Sequence, residues 1–580
     1  MYLSSFGSDN SCFLFLLLIL ARHRSVNISS NITKTMHDYI IVGGGLSGCV
    51  LASRIREYDE HSTILLIEAG KDTRGRPEVQ DMQILNLGGE LDWQYESEPV
   101  AGLGGRRVTL NAGKGLGGGS AINSGGWTRG ASVDYDEWAS VVGDARYSYK
   151  GQLPWFKKSE RWFDDNDPIQ HGQDGPMRIN CAKVSNRIFP LAEQAAAGWE
   201  DLGISTLPNG DQNTGDNLGR AYICEARTDG KREWSAEQYS LEGVEIRLET
   251  SVQKVLVHEF NGKLKATGVE LADGSVAVGK NIILSAGAFR SPQLLQLSGI
   301  GSSSHLEEFG IEPLVDLPEV GQNLADHMIF LQHWRLRDPS AGYTLGSANP
   351  LFQEPQYAQG VPLDWIVNTS VASDGLAKAI AIDEGVQPEA SKHCLLARKR
   401  TFLENIVMFA KVPFPGVPVD AEHITSALVT LLPTSRGSVT LKSGNPDDHP
   451  KVNLNYLATE VDRHVFREGL RQLTRFMLES KFSANIVGES VPEGLPVEPL
   501  GLDDNNEKLD KRLAMTSGTS WHPTGTCSMG KVVDTEFRVK GVEGLRVVDA
   551  SVIPVQISAH IQAPLYALSE QAAAIITGNA

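Results

Sequence analysis

The chain has 580 residues, 41% apolar and 21% charged, which is more than one ordinary core and excludes wholesale disorder. Lys and Arg number 53 against 71 Asp and Glu, and a net charge of −18 repels phosphate backbones, so no nucleic-acid partner is expected. The 58 glycines have no period of three and the six cysteines form no CxxC pair, which sets aside collagen-like, disulfide-scaffold and zinc-array classes.

The first feature along the chain is Cys12 to Ala21, CFLFLLLILA, followed by Arg22-His23-Arg24. These ten residues are too few to cross a bilayer but suit the apolar part of a secretory signal. The segment before it lacks Lys and Arg and carries Asp9, and no A-x-A cleavage site follows. Residues 1–36 are read as a leader, and the protein as secreted or in the secretory pathway. The alternative is a cytoplasmic protein whose translation starts at Met36. Asn27, Asn31 and Asn368 open glycosylation sequons, a number near chance for this length. No other stretch approaches transmembrane length, so no stable membrane span is expected.

Asp38 to Val42 then reads as a buried parallel strand running into Gly43-Gly44-Gly45-Leu46-Ser47-Gly48, a GxGxxG motif. A helix is expected over Cys49 to Glu57 and a second strand over Thr63 to Ile67, ending at Glu68, 20 residues after Gly48. In a dinucleotide fold Gly43 makes the tight turn, Gly45 admits the pyrophosphate, and Gly48 lets helix and strand pack closely. Glu68 is placed to accept both ribose hydroxyls, and a carboxylate there repels a 2′-phosphate, which argues against NADP. The motif alone does not choose between NAD and FAD.

Asn111 to Gly130, NAGKGLGGGSAINSGGWTRG, is a glycine-rich loop of a different kind. Linkers are Gly/Ser mixtures, whereas this one is punctuated by Ile122, Asn123, Trp127 and Arg129. Further on, Val252 to His258, Gly268 to Leu271 and Asn281 to Ser285 read as strands. With Asp92-Trp93-Gln94-Tyr95, the loop resembles the glucose-methanol-choline (GMC) family of FAD oxidoreductases. GAFRSPQLLQLSGIG at Gly287 to Gly301, VGQNLADH at Val320 to His327, SRGSVTL at Ser435 to Leu441, HPTGTCSMG at His522 to Gly530 and VDASVIP at Val548 to Pro554 follow in order. The resemblance runs from about residue 38 to about 575 and is weakest over 335–432.

The resemblance implies an α/β plus α+β fold: a Rossmann-like FAD-binding domain assembled from discontinuous segments, and a sheet-and-helix substrate-binding domain. The expected parts are 37–334, with most of the FAD domain; 335–432, within the substrate domain; and 433–575, with the catalytic histidines. Carried over by position, Leu46 and Ser47 meet the pyrophosphate and Glu68 the ribose, and Trp93 belongs to the cofactor site. Gly119, Ser120, Asn123, Ser124, Gly125 and Gly126 surround the flavin and its ribityl-phosphate chain. Val252 contacts adenine through its backbone, and Asp549 and Ala550 return to the pyrophosphate or ribityl region. Strand core for Val252 and a helix cap for Asp549 are the plain alternatives. Two departures stand out. Ser124 replaces a glycine common in relatives, and Ile122 stands where relatives with tethered flavin carry a histidine. The FAD is therefore expected to be non-covalent.

The same resemblance marks His522 and His560 as the catalytic pair, with His560 at a position that is Asn in many relatives. A neutral imidazole suits removal of the hydroxyl proton while flavin N5 takes the hydride. His522 is read as the base and His560 as the residue that orients the alcohol oxygen. His327, His393 and His449 are read as surface or satisfied core groups, and Cys527 as a small packing residue. No HExxH or tight His/Cys cluster occurs, so no metal is expected; GxxxxGK[ST] and GxSxG are also absent. The expected activity is oxidation of a small-molecule alcohol, as an oxidase using oxygen or a dehydrogenase using a quinone-type acceptor, with a role in secondary metabolism among the options. The competing reading is a non-redox lyase or cyclase with structural FAD.

Overall fold

The computed structural model describes residues 36–81, 87–412 and 420–580. The leader and its two sequons lie outside the described residues. The elements that carry the site are, in chain order, β1 (His37–Val42), α1 (Leu46–Tyr58), β2 (Ile64–Ile67), β3 (Gly219–Tyr222), β4 (Glu245–Arg247), β5 (Val252–Phe260), β6 (Lys263–Leu271), β7 (Val276–Leu284), α2 (Gly287–Leu297), β8 (Met328–Leu336), β9 (Trp365–Thr369), β10 (Leu403–Met408), β11 (His423–Thr430), α3 (Glu460–Leu478), β12 (Ile486–Ser490), β13 (Leu545–Val547) and α4 (Gln562–Thr577).

The first large sheet has the order β4-β2-β1-β7-β6-β5, with β13 also on β7. The pairs β4/β2, β2/β1, β1/β7 and β7/β13 are parallel. β2 is four consecutive buried aliphatic residues, as a strand covered on both faces requires. The parallel pairing of Leu545 with Ile282 brings a C-terminal strand back into the N-terminal sheet, the discontinuous assembly implied by the resemblance. The expected strands over 252–258 and 268–271 are the two arms of one longer hairpin. Asn261 and Gly262 both take positive φ between them, the two-residue turn that matches strand twist. The helix expected from Cys49 starts at Leu46, inside the glycine motif, with Gly45 as its N-cap.

The second large sheet, order β12-β8-β11-β10-β9-β3, is antiparallel throughout. Its strands alternate as two-faced strands do. Leu403 and Val407 of β10 join the core formed with Phe466, Leu470 and Leu473 of α3, while Glu404, Ile406 and Met408 belong to the other face. On that face the register builds two cross-strand rows: Ile329–Val429–Glu404–Asn368 and Leu331–Ala427–Ile406–Ile366. Asn368 is buried there and its Nδ2 donates to Gln212 Oε1 (2.9 Å), so the folded chain does not present this sequon to a glycan-transferring enzyme. No helix of the described residues is long and apolar enough to cross a membrane.

Candidate active site

A cavity of about 750 Å³ is lined by residues of both large sheets and their loops. Of the expected cofactor residues, Gly43, Gly45, Leu46, Ser47, Glu68, Trp93, Gly119, Ser120, Asn123, Ser124, Gly125, Gly126, Val252, Asp549 and Ala550 line it, together with His522 and His560. Gly48 does not; a Cβ there would fall 1.9 Å from the Gly43 carbonyl oxygen, so its role is the close approach of α1 to β1.

The cradle fits FAD on several counts. α1 begins with no side-chain cap and no acid in its first turn, leaving its N–H groups for an anion. Gly118, at φ +50°, approaches the Gly45 Cα so closely that a Cβ would lie 2.8 Å from it, which brings the two glycine loops together. At Gly119 and Gly287 a Cβ would meet no protein atom within 4 Å. The Ser47 and Ser285 hydroxyls, buried on the cavity wall, lack a protein partner. Glu68 accepts from Gly44 N and Gly70 N (2.8 Å each), which fixes its carboxylate. Burial raises its pKa against those bonds. Asp549 caps a short helical turn as well as lining the cavity, accepting from Ser551 N (2.8 Å), Gly287 N (2.8 Å) and Ser291 Oγ (2.5 Å). Ile122 carries no nucleophile.

Three histidines, not two, meet at the sheet side of this cavity. The His522 ring lies 5.0 Å from His560 and 5.1 Å from His327, centroid to centroid, nearly perpendicular to both. His327 Nδ1 is 3.1 Å from His522 Nδ1. His327 is thus not the bland core group expected from the sequence. The short strand Gly518–Thr519 pairs with Met328–Ile329, and Ser520 N donates to His327 O (2.8 Å), which registers the two histidines against each other. Asp326, also buried, accepts from His522 N (2.7 Å), Thr519 Oγ1 (2.6 Å) and the Tyr456 hydroxyl. Trp521, at φ +61°, bends the chain into that position.

Opposite influences act on the two expected catalytic histidines. Burial, with the nearby His560 and His327, holds the His522 pKa well below its ordinary range. Burial acts the same way on His327, with His560 adding to it, and brings it down to about 3. Burial also penalises a charged His560, but Glu404 outweighs it and raises the pKa. Glu404 Oε1 is 2.8 Å from His560 Nε2, and His560 N donates to Thr128 Oγ1 (2.7 Å). Glu404 lies in the stretch of weakest resemblance and was missed there. Its signal was LENIVM, a lone acid on the apolar face of a strand. Cys527 is fully buried, its pKa driven up by burial, a packing thiol and no nucleophile. His449 packs at the edges of Trp93 and Tyr95, and His393 pairs with Glu384 at the surface.

A dinucleotide cradle opening onto neutral and carboxylate-paired imidazoles fits an oxidoreductase. The chain belongs to the GMC oxidoreductase family, whose N- and C-terminal models match residues 37–329 and 433–569. It is 37% identical over 544 residues to the GMC-type oxidoreductase acuG of Aspergillus aculeatus, covering 92% of this chain and 98% of that one. It is 33% identical over 573 residues to an oxygen-dependent choline dehydrogenase of Pseudomonas fluorescens, covering 93% and 94%. Its fold matches pyridoxine 4-oxidase from Mesorbium loti with a TM-score of 0.78 at 26% identity, covering 93% and 98%. The protein is a GMC-type, FAD-dependent oxidoreductase acting on CH–OH groups.

Proposed function

We propose that the protein oxidises an apolar alcohol to the carbonyl compound, with His522 as base and His560 as donor to the alcohol oxygen. The single observation that carries the division of labour is the asymmetry between the histidines: one kept neutral by burial, the other tied to Glu404. FAD, when bound, accepts the hydride at N5. His522 reaches the hydroxyl proton through Nε2, because its Nδ1 faces His327. One hydrogen is shared between those two nitrogens. With that hydrogen on His522, the Nε2 lone pair is free for the substrate, and His327 acts as its acceptor. His560, held through Nε2 by Glu404, keeps its Nδ1 edge for the alcohol oxygen.

The apolar substrate follows from the sheet face. Ile329, Leu331, Ile366, Ile406, Ala427 and Val429 line the cavity beside the histidines. The carboxylates lining the cavity, Glu68 and Asp549, both belong to the cofactor side and both accept backbone N–H groups. Lys411, at the wall, is paired with Asp420 (2.9 Å). The six aliphatic side chains offer a sugar no hydrogen-bonding group. The test is anaerobic addition of a panel of aryl, alkyl and polyhydroxy alcohols and choline to the holoenzyme. Bleaching of the flavin by the apolar members is expected. Turnover without bleaching would favour the lyase or cyclase reading. Peroxide release then separates an oxidase from a dehydrogenase that needs a quinone or dye. A place in secondary metabolism and passage through the secretory pathway belong to the same proposal.

A further inference from the structure

Two arginines are fully buried beneath the flavin loop, and they are not equivalent. Arg129 is neutralised: its Nη2 lies 2.5 Å from Glu160 Oε1. Arg232, 2% exposed on the short strand Lys231–Arg232, makes its hydrogen bonds to carbonyl oxygens, and Asp81, bridged to Lys231, is the carboxylate whose charge reaches it. Its Nε donates to Val79 O (2.9 Å), and its Nη1 to Asn123 O (2.5 Å) and Asn123 Oδ1 (2.8 Å); its Nη2 lacks a partner. Burial lowers its pKa only to about 10, so it is cationic at neutral pH. A buried guanidinium held by carbonyl oxygens, with one Nη left over, is costly and calls for a reason.

Asn123 lines the cavity, and Arg232 decides which way its amide faces. Asn123 Oδ1 accepts from both Arg232 Nη1 and Gly125 N (3.0 Å). A flipped amide would set its NH2 against two donors, so the orientation is fixed. The NH2 edge faces Gln562, donating to its Oε1 (3.1 Å), and Gln562 itself lines the cavity. Asn123 therefore offers a bound flavin a donor, never an acceptor, with a full positive charge immediately behind it.

We propose that Arg232 is a tuning and positioning residue for the bound flavin, which it makes easier to reduce. Reduction adds negative charge to the isoalloxazine. A donor locked toward it and a buried cation bonded to that donor's own amide both favour the electron-rich form. The proposal rests on FAD in this cavity and not on the identity of the substrate, so a failed alcohol panel leaves it standing.

The test uses the holoenzyme and the variants Arg232→Met, Arg232→Gln and Arg232→Lys. The readouts are the two-electron potential of bound FAD, from anaerobic dye equilibration, and the dissociation constant of its sulfite adduct, which reports electron demand at the same ring. Arg232→Met and Arg232→Gln are expected to weaken the sulfite adduct about tenfold, the same factor in the flavin couple being about 30 mV more negative. Arg232→Lys, which restores a cation to the extent that the buried ammonium holds its proton, should fall between the parent and the uncharged variants. Should the methionine variant lose FAD, the glutamine and lysine variants alone decide. Unchanged potential and sulfite affinity in the uncharged variants, or loss of FAD from all three, would overturn the proposal.

Discussion

Glu404 Oε1 sits 2.8 Å from His560 Nε2, with the glutamate side chain only 2% exposed. The pair joins a strand of the second sheet to the loop before α4, so one contact couples the substrate wall to the catalytic edge. It also sets a sign. The folded pKa of His560 is raised above its ordinary 6.5. The pair's contribution to stability is fully present below 6.5 and is lost as pH rises through the folded value. The titratable groups facing His560 are Glu404 and, from the other side, His522 with His327 beyond it.

Glu404→Gln is therefore expected to move the alkaline fall in flavin reduction to lower pH, because burial and the neighbouring imidazoles then act on His560 without an opposing anion. At neutral pH the rate should drop by about tenfold or more. Anaerobic stopped-flow across pH measures both. A profile that keeps its alkaline limb in place would separate Glu404 from the titration.

His522→Ala is expected to lower substrate-driven flavin reduction by about 10²-fold or more, with FAD still bound, since the glycine loops and Glu68 hold the cofactor independently. His560→Asn should retain more rate than His560→Ala, an amide still donating to the alcohol oxygen. The double alanine variant should fall short of the product of the single effects, as groups acting together do. Wild-type rates in both single variants at full FAD occupancy would sink the assignment.

The cradle was legible because its requirements are local: a turn, a helix start and an acid at fixed spacing need only glycine counts and apolar runs. The histidine pair was legible by motif. His327 and Glu404 were not, and the reason is physical. His327 acquires a role only when the strand Gly518–Thr519 pairs beside it, a contact across 191 residues (Met328 with Thr519). Glu404 turns toward His560 because β10 alternates, yet its meaning depends on β9, β10 and β11 being neighbours, which no local pattern states. Arg232 was hidden for the opposite reason: a lone arginine near a turn looks like surface, and its burial against the Asn123 amide is visible only in three dimensions.

Acid precipitation of purified protein should release its FAD to the supernatant, because Ile122 offers no attachment where a histidine serves in tethered relatives. Flavin retained in the pellet would point to another attachment residue.

The leader gives a separate expectation. If Cys12 to Ala21 is a secretory signal, native protein should begin downstream of Ala21, with glycan at Asn27 or Asn31 if they survive cleavage. N-terminal sequencing of native material checks this; a cytosolic chain beginning at Met36 or His37 would overturn it.

The aliphatic floor makes the sharpest demand on substrate choice. Leu331, Ala427, Ile406 and Ile366 form one continuous cross-strand row on the cavity face. A tail lying along such a row gains about 0.8 kcal/mol per buried methylene, or about fourfold in kcat/KM for each added carbon until the row ends. Leu331→Asn or Ile406→Asn interrupts the row and leaves an amide to be desolvated by the tail, so either should cost about 1–3 kcal/mol in kcat/KM for long or aryl alcohols and far less for the shortest ones. The histidines are untouched by these changes, so the limiting rate of flavin reduction at saturation should hold while the apparent affinity falls. Steady-state and stopped-flow measurements on a graded alcohol series distinguish the two. A flat chain-length dependence in the parent enzyme, or equal losses for short and long alcohols in the variants, would place the substrate tail elsewhere in the cavity.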